Sequence, residues 1–275
     1  MLHCIFYPYF CIRKIETELT SKILSMKILL YTILALTAAS VGSVILSGSL
    51  LLLNNKWLGK VSSYLLYLAG GTLLGSALLG LIPEATETLD IHTVMLWLLI
   101  GLILFFLLEK IILWRTCHNE NCERQNHAAA PMIIIGDAFH NAIDGVVIAA
   151  SFLTSVELGI FVTTSVVLHE IPQELGDFGI LIKSGYSRKK ALFYNLLSGS
   201  SALVAGIAAY FVLDIIQTFI PYIIAIAAAS FLYVSLADLI PEMHKETKPK
   251  ESLIQILLIL TGIAIIFIST GEHAH

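Results

Sequence analysis

Two short stretches of this chain combine side chains that bind metals or protons with surroundings that read as lipid. The first, HNAIDG, supplies His140, Asn141 and Asp144. Helical spacing puts His140 and Asp144 at i and i+4 on one face, with Asp137 a turn earlier and Asn141 adjoining. The second, HEIPQELGDFGIL, sets His169, Gln173 and Asp177 in one i, i+4, i+8 row and Glu170, Glu174 and Asp177 in a neighbouring one. Imidazole with carboxylate suits zinc and its neighbours, so two facing arrays of this kind predict a cation site, with metal favoured over a pure proton relay. An acidic residue at the centre of a span opposes insertion by about 2.5–3.5 kcal/mol. Asp144, Glu170, Glu174 and Asp177 left unpaired would together oppose it by on the order of 10 kcal/mol, and a bound cation relieves that cost. A structural polar network is the bland alternative. It suits a lone intramembrane histidine better than two histidines, five carboxylates and two amides in adjacent spans. Both helices also carry breakers: Pro172 lacks an N–H, so the carbonyl of Leu168 loses its helical partner, and Gly145, Gly176 and Gly179 let backbones approach closely.

The elements that must position these residues are transmembrane helices. Of the 275 residues 57% are hydrophobic and 13% charged, about half the charged share of a soluble domain, and the mean hydropathy is +0.86. Stretches long enough to cross a bilayer fall at 28–53, 62–82, 93–113, 131–153, 158–182, 190–213, 220–240 and 252–270. The expected fold is therefore an all-α polytopic membrane protein of eight transmembrane helices. No strand-like alternation competes with that reading. The net charge of -4 is small and spread out, without the basic patches or aromatic-and-basic grooves that nucleic-acid binding needs, which sets nucleic acid aside as a partner. Cys4, Cys11, Cys117 and Cys122 are too few and too scattered for a disulfide framework.

The gaps after spans one, three, five and seven carry Lys56 and Lys60; Arg115 and Arg124; Lys183, Arg188, Lys189 and Lys190; and Lys245, Lys248 and Lys250. The intervening gaps hold Glu84, Glu87 and Asp90, then Glu157, then Asp214, with no Lys or Arg. Basic loops face the cytoplasm, so both termini are expected outside. Arg13, Lys14, Lys22 and Lys27 run against that assignment. Either the chain starts at Met26 and residues 1–25 are an upstream extension, or that segment is amphipathic or targeting in character. Residues 1–27 are thus read as an extension and 28–275 as one transporter domain. LGLIPEA (79–85) closes span two and ADLIPEM (237–243) closes span seven. Five spans apart, such a pair reverses direction across the membrane, and helices one to three and six to eight then form an inverted repeat around four and five, as in secondary transporters.

At these residues the sequence resembles the ZIP (Zrt/Irt-like) family of divalent metal transporters, from about residue 28 onward. HNAIDG is similar to the family's fourth-span motif, and HEIPQELGDFGIL to the fifth-span motif of the branch reading His-Glu-x-Pro-His-Glu-x-Gly-Asp. GTLLGSALLGLIPEA and FLYVSLADLIPEM resemble its second and seventh spans. The resemblance implies eight helices with outer termini and a primary transport site of His140, Asp144, His169 and the position of Gln173, with Asn141 and Glu170 lining a second or adjoining site. Asp137, Glu174 and Asp177 are expected to support it. Three positions depart from the pattern. Gln173 stands where that branch has His, Ala202 where binuclear members carry a carboxylate, and Gly80 where a histidine precedes the second-span Pro-Glu.

Further candidates lie at the edges. The loop at 115–130 offers Cys117, His118, Cys122 and His127 where family members often carry a histidine-rich loop, although the spacing matches no standard zinc module. Glu272, His273 and His275 form a C-terminal polar tail that could collect metal, and Glu84 and Glu242 are read either as the two mouths of a pathway or, equally, as interfacial caps. The function these features imply is uptake of a divalent metal into the cytoplasm by alternating access, with zinc expected ahead of iron, manganese or cadmium. The metal is substrate rather than cofactor. The partners are divalent ions and the lipid bilayer, with a homodimer as the expected assembly and a cell (inner) membrane as the location. Two rivals are an intramembrane zinc hydrolase, since His169 to Gln173 is one residue short of His-Glu-x-x-His, and a proton-coupled solute carrier.

Overall fold

The computed structural model describes residues 8–116 and 125–270. All of their regular structure is helical, in eight rods: α1 (8–50), α2 (55–86), α3 (Ile91–Thr116), α4 (Gln125–Thr154), α5 (Val156–Lys183), α6 (Arg188–Ile215), α7 (Gln217–Met243) and α8 (Pro249–Thr270). Long apolar runs form helices here because in hydrocarbon every backbone N–H and C=O must be satisfied within its own segment. Polar residues mark the ends. Asn54 accepts from the Trp57 N–H at 3.0 Å, Asp90 from Thr93 at 3.1 Å, and Ser155, the single residue between α4 and α5, from Leu158 at 3.1 Å.

Six rods are long and apolar enough to cross a membrane: α1, α2, α3, α6, α7 and α8. The chain is a multi-pass integral membrane protein. The other two, α4 and α5, are of matching length at 30 and 28 residues and carry the polar arrays. Only 11% of the apolar window of α3 and of α8 is buried, against 61% in α2 and α7, so the former pair lies outside and the latter inside. The main core joins Leu36 of α1, Leu73 and Leu81 of α2, Ile148 of α4, Val162 of α5 and Phe231 of α7.

Glycines set the closest seams. A Cβ at Gly145 would strike the backbone of Ala202, and one at Gly206 would sit 2.8 Å from the Gly145 carbonyl oxygen, so α4 and α6 touch backbone to backbone. The same holds between α2 and α8, where a Cβ at Gly262 would meet the Leu68 carbonyl oxygen at 2.6 Å. Small residues at such crossings let van der Waals contact hold helices together where lipid offers no hydrophobic drive. In turn α7 packs along α3, with Gly101 against Ala229.

Three rods contain a π-helical turn, at Ala38–Gly42, Ser76–Leu81 and Val234–Leu239. The last two immediately precede the short helical segments Ile82–Thr86 and Ile240–Met243, each with a proline at its start. LGLIPEA and ADLIPEM thus share a local conformation as well as four residues.

The structure corrects two expectations. Helix α5 runs unbroken through Pro172, and the neighbouring Ile171 carbonyl accepts from the Ser47 hydroxyl at 3.0 Å. Gly176 and Gly179 have nothing within 4 Å of a built Cβ and mediate no close approach, whereas Gly145 does. At the N-terminus α1 is already helical at Pro8, so the described part of the 1–27 segment is helical.

Candidate metal centre

The two polar arrays face each other where α4 packs on α5. His140 and Asp144 project from consecutive turns of α4, and His169 and Glu170 from one turn of α5. One ligand atom from each of the four lies within 4.8 Å of the others. The His140 and His169 Nε2 atoms are 3.2 Å apart. Asp144 Oδ2 is 3.1 Å from His169 Nε2 and 3.7 Å from His140 Nε2, and Glu170 Oε1 is 3.5 and 3.7 Å from the same two nitrogens. Zinc bonds to nitrogen and oxygen of about 2.0–2.1 Å imply tetrahedral edges of about 3.3–3.4 Å. Five edges of the observed set, at 3.1–3.7 Å, bracket that value, so the donor set fits zinc in both chemistry and size.

The hydrogen bonds around the set sharpen this. His169 Nδ1 lies 3.0 Å from the Ser165 carbonyl. A carbonyl can only accept, so the proton is on Nδ1 and, in the neutral ring, the Nε2 lone pair faces His140 and Asp144. Lone pairs opposed at 3.1–3.2 Å repel unless a proton or a metal lies between them. Asp144 Oδ1 and both Glu170 carboxylate oxygens have no hydrogen-bond partner among the described residues, and the two side chains are almost wholly buried. Uncompensated carboxylates are expensive in such surroundings. A cation between the four residues removes that cost.

A second group lies one turn along. Asp137, Glu170 and Glu174 also bring one oxygen each within 4.8 Å, and Asp137 Oδ2 and both Glu174 oxygens lack hydrogen-bond partners among the described residues. Asn141 donates to the Asp137 carbonyl at 3.1 Å and to its Oδ1 at 2.9 Å. Gln173 stands with this group: its amide donates to Asp137 Oδ1 at 3.2 Å, while Glu170 occupies the fourth corner beside the histidines. Asp177 faces the cavity below.

That cavity, of about 440 Å³, reaches His140 and His169 from one end of the bundle. Its walls also hold Glu109, Tyr233 and Asp238, which sequence reasoning missed. The Tyr233 hydroxyl donates to Glu109. A signal existed for Glu109, the single acid within the 91–111 span; Asp238 sits on the π turn of α7, and such turns recur at functional sites. A separate cavity of about 390 Å³ carries Glu84, Glu87 and Glu157. The Phe161 ring lies across the space a side chain at Gly80 would fill, its nearest atoms 2.5 and 2.7 Å from a built Cβ. Behind Phe161, Ser76 and Ser165 share a hydrogen bond of 2.6 Å between α2 and α5. Glu84 lines this cavity, whereas Glu242 is exposed and paired with Lys245. Ala202 is buried against Gly145 and offers no ligand. Cys117, His118, Cys122, Glu272, His273 and His275 lie outside the described residues, and His127 falls in the first turn of α4.

Residues 26–131 and 114–270 match the family described as ZIP Zinc transporter. The chain belongs to the ZIP family. The zinc transporter foi of Drosophila melanogaster is 41% identical over 51% of this chain and 20% of its own length. The zinc transporter ZIP13 of Pongo abelii is 30% identical over 73% of this chain and 64% of its own, and the metal cation symporter ZIP14 of Bos taurus 38% identical over 52% and 31%. The chain therefore spans less than two thirds of the length of these ZIP relatives. Membership of a transporter family also sets the hydrolase reading aside, and the glutamine at position 173 already lacked the second histidine that reading needs.

Proposed function

We propose that this ZIP protein carries divalent metal cations, zinc foremost, across its membrane toward the cytoplasm through the site between α4 and α5. One observation carries the reading: His140, Asp144, His169 and Glu170 converge in the buried middle of the bundle at the spacing of a tetrahedral zinc shell. Asn141, Gln173, Asp137 and Glu174 form the adjoining oxygen-rich group, and Asp177 stands on the inner path. One relative is named a metal cation symporter and others zinc transporters, which supports a metal cargo and leaves iron, manganese and cadmium as competitors to test. The cargo sheds water at the mouth bearing Glu84, binds at mid-depth, and leaves through the cavity rimmed by Asp177, Glu109 and Asp238. All eight rods then cross the membrane, with both termini outside and the location a cell membrane. The inverted repeat of α1–α3 and α6–α8 is supported by the shared π turn of α2 and α7 and by the exchange of partners, α2 with α8 and α7 with α3. The fifth-span motif supports the His-Glu-x-Pro-His-Glu branch, residues 28–275 act as one domain, and the assembly is a homodimer.

Reconstitution of the purified protein in liposomes tests the reading. Zinc uptake abolished by His140→Ala and by Asp144→Ala is the expected result. Hydrolysis without metal flux, or zinc-independent uptake of an organic solute with protons, overturns it. A panel of zinc, iron, manganese and cadmium on the native protein and on Gln173→His then reads selectivity. If selectivity does not move, Gln173 is no ligand and its bond to Asp137 is its whole role.

A further inference from the structure

The turn between α5 and α6 carries Lys183, Arg188, Lys189 and Lys190, all exposed, and the chain has no Asp or Glu between Asp177 and Asp214. None of the four cations lies within ion-pairing distance of a carboxylate among the described residues, whereas between α7 and α8 two of the three lysines are matched, Lys245 with Glu242 and Lys248 with Glu246 at 3.9 Å. Four unmatched positive charges within eight residues repel one another unless something outside the chain neutralises them.

The turn is also stiff. The Ser184, Gly185 and Tyr186 N–H groups bond back to the Ile180, Ile182 and Leu181 carbonyls at 2.9–3.1 Å. Gly185 holds φ 90°, which only glycine adopts readily, and the Ser187 hydroxyl accepts from the Lys190 N–H at 3.4 Å. Beneath it lies a separate small core of Val44, Phe178, Leu181 and Ala191. Above that core the rings of Tyr186, Tyr194 and Phe193 meet edge to face, with centroids 5.5 and 5.6 Å apart. Aromatic residues of this kind mark the headgroup level of a bilayer, and Arg188 is the first residue of an apolar span.

We propose that this turn is a binding surface for the phosphate groups of anionic phospholipids in the leaflet it faces. The occupant follows from charge and position. Unpaired cations carried on a stiff turn sit beside an aromatic belt at the end of a membrane span, where anionic headgroups are the available counter-charge. The surface ties down the end of α5, roughly 20 Å along the helix from His169 by the rise per residue. It rests on the membrane embedding of the chain and not on what the chain transports.

The test compares lipid association of the full-length protein in vesicles of phosphatidylcholine containing spin-labelled phosphatidylglycerol or spin-labelled phosphatidylcholine. The native protein is expected to prefer the anionic probe, and rising salt is expected to erase the preference. Each basic residue contributes up to about fivefold, so Lys183→Gln/Arg188→Gln/Lys189→Gln/Lys190→Gln is expected to lower the preference by about tenfold or more. Lys245→Gln/Lys248→Gln is expected to leave it unchanged. A folded quadruple variant that keeps the native preference overturns the proposal, as does an equal loss in the control. Inorganic phosphate that displaces the probe where chloride of equal ionic strength does not assigns the surface to free anions and also overturns it. Should the quadruple variant fail to fold, the salt titration on native protein decides: a preference that survives high salt is not carried by these cations.

Discussion

The α4–α6 seam gives the sharpest quantitative test of how the site is held. A methyl group at Gly145 would lie 2.8 and 2.9 Å from the carbonyl carbon and Cα of Ala202, where ordinary contact starts at 3.4 Å. No rotamer relieves this, because the obstructing atoms are backbone, and the helices must part by about half an ångström or more. Overpacking costs typically about 1–3 kcal/mol, and a backbone clash belongs at the upper end. Alanine regains about 1 kcal/mol of helix propensity, which leaves Gly145→Ala destabilised by about 2 kcal/mol. Gly179→Ala makes the same chemical change on α5 with nothing within 4 Å, so only the propensity gain of about 1 kcal/mol remains. The pair should therefore differ by about 3 kcal/mol and in sign. Unfolding of the purified variants in mixed micelles by added denaturing detergent measures both. Separation of α4 from α6 also shifts Asp144, the neighbour of Gly145, so zinc affinity falls in the first variant and holds in the second. If both variants shift in the same direction, the backbone contact does not set the seam and the argument fails.

Other outcomes follow from the geometry. Glu170→Gln removes the fourth corner of the quartet, and zinc affinity by competition with a chelating dye is expected to fall by at least the 10–100-fold typical of a lost supporting group, whereas Gln173→Ala changes it less. Equal losses would return Gln173 to the shell. Tyr233→Phe removes the phenol donor to the half-buried Glu109 and is expected to lower stability by about 0.5–1.5 kcal/mol, the net worth of one hydrogen bond, read in the same detergent titration. At the exposed end of α3, hydrogen bonds from the Thr93 hydroxyl and N–H hold the Asp90 carboxyl below its ordinary pKa. A depressed carboxyl stabilises the folded form above its unfolded pKa and loses that contribution as pH falls through the folded value. Thr93→Val should therefore move the Asp90 titration upward by NMR, and an unmoved titration would deny the hydroxyl its role.

How much of this was legible beforehand depends on which distance fixes a feature. Spacing within one helix is set by the sequence, so the His140–Asp144 face and the clustering on α5 could be read directly. Which of two adjacent positions on α5 enters the quartet is set by how α5 crosses α4. Glu170 and Gln173 are separated by that crossing and not by any periodicity, and the same blindness made Gly176 and Gly179 look like packing residues. Glu109 and Asp238 belong to helices distant in sequence, which the fold brings to one cavity wall. The π turns leave no mark on hydrophobic spacing, yet one of them carries Asp238.

Those turns also bear on how chain length relates to function. Each π turn is an α-helix carrying a residue to spare. Loss of one residue within 76–81 or 234–239 would tighten the turn to α and leave Pro83 or Pro241 at nearly its present depth and bearing. Loss of one residue from a regular stretch would swing everything beyond it by about 100°. The walls bearing Glu84 and Asp238 are thus the parts of the proposed pathway that single-residue insertions and deletions can retune while the helices on either side stay in register.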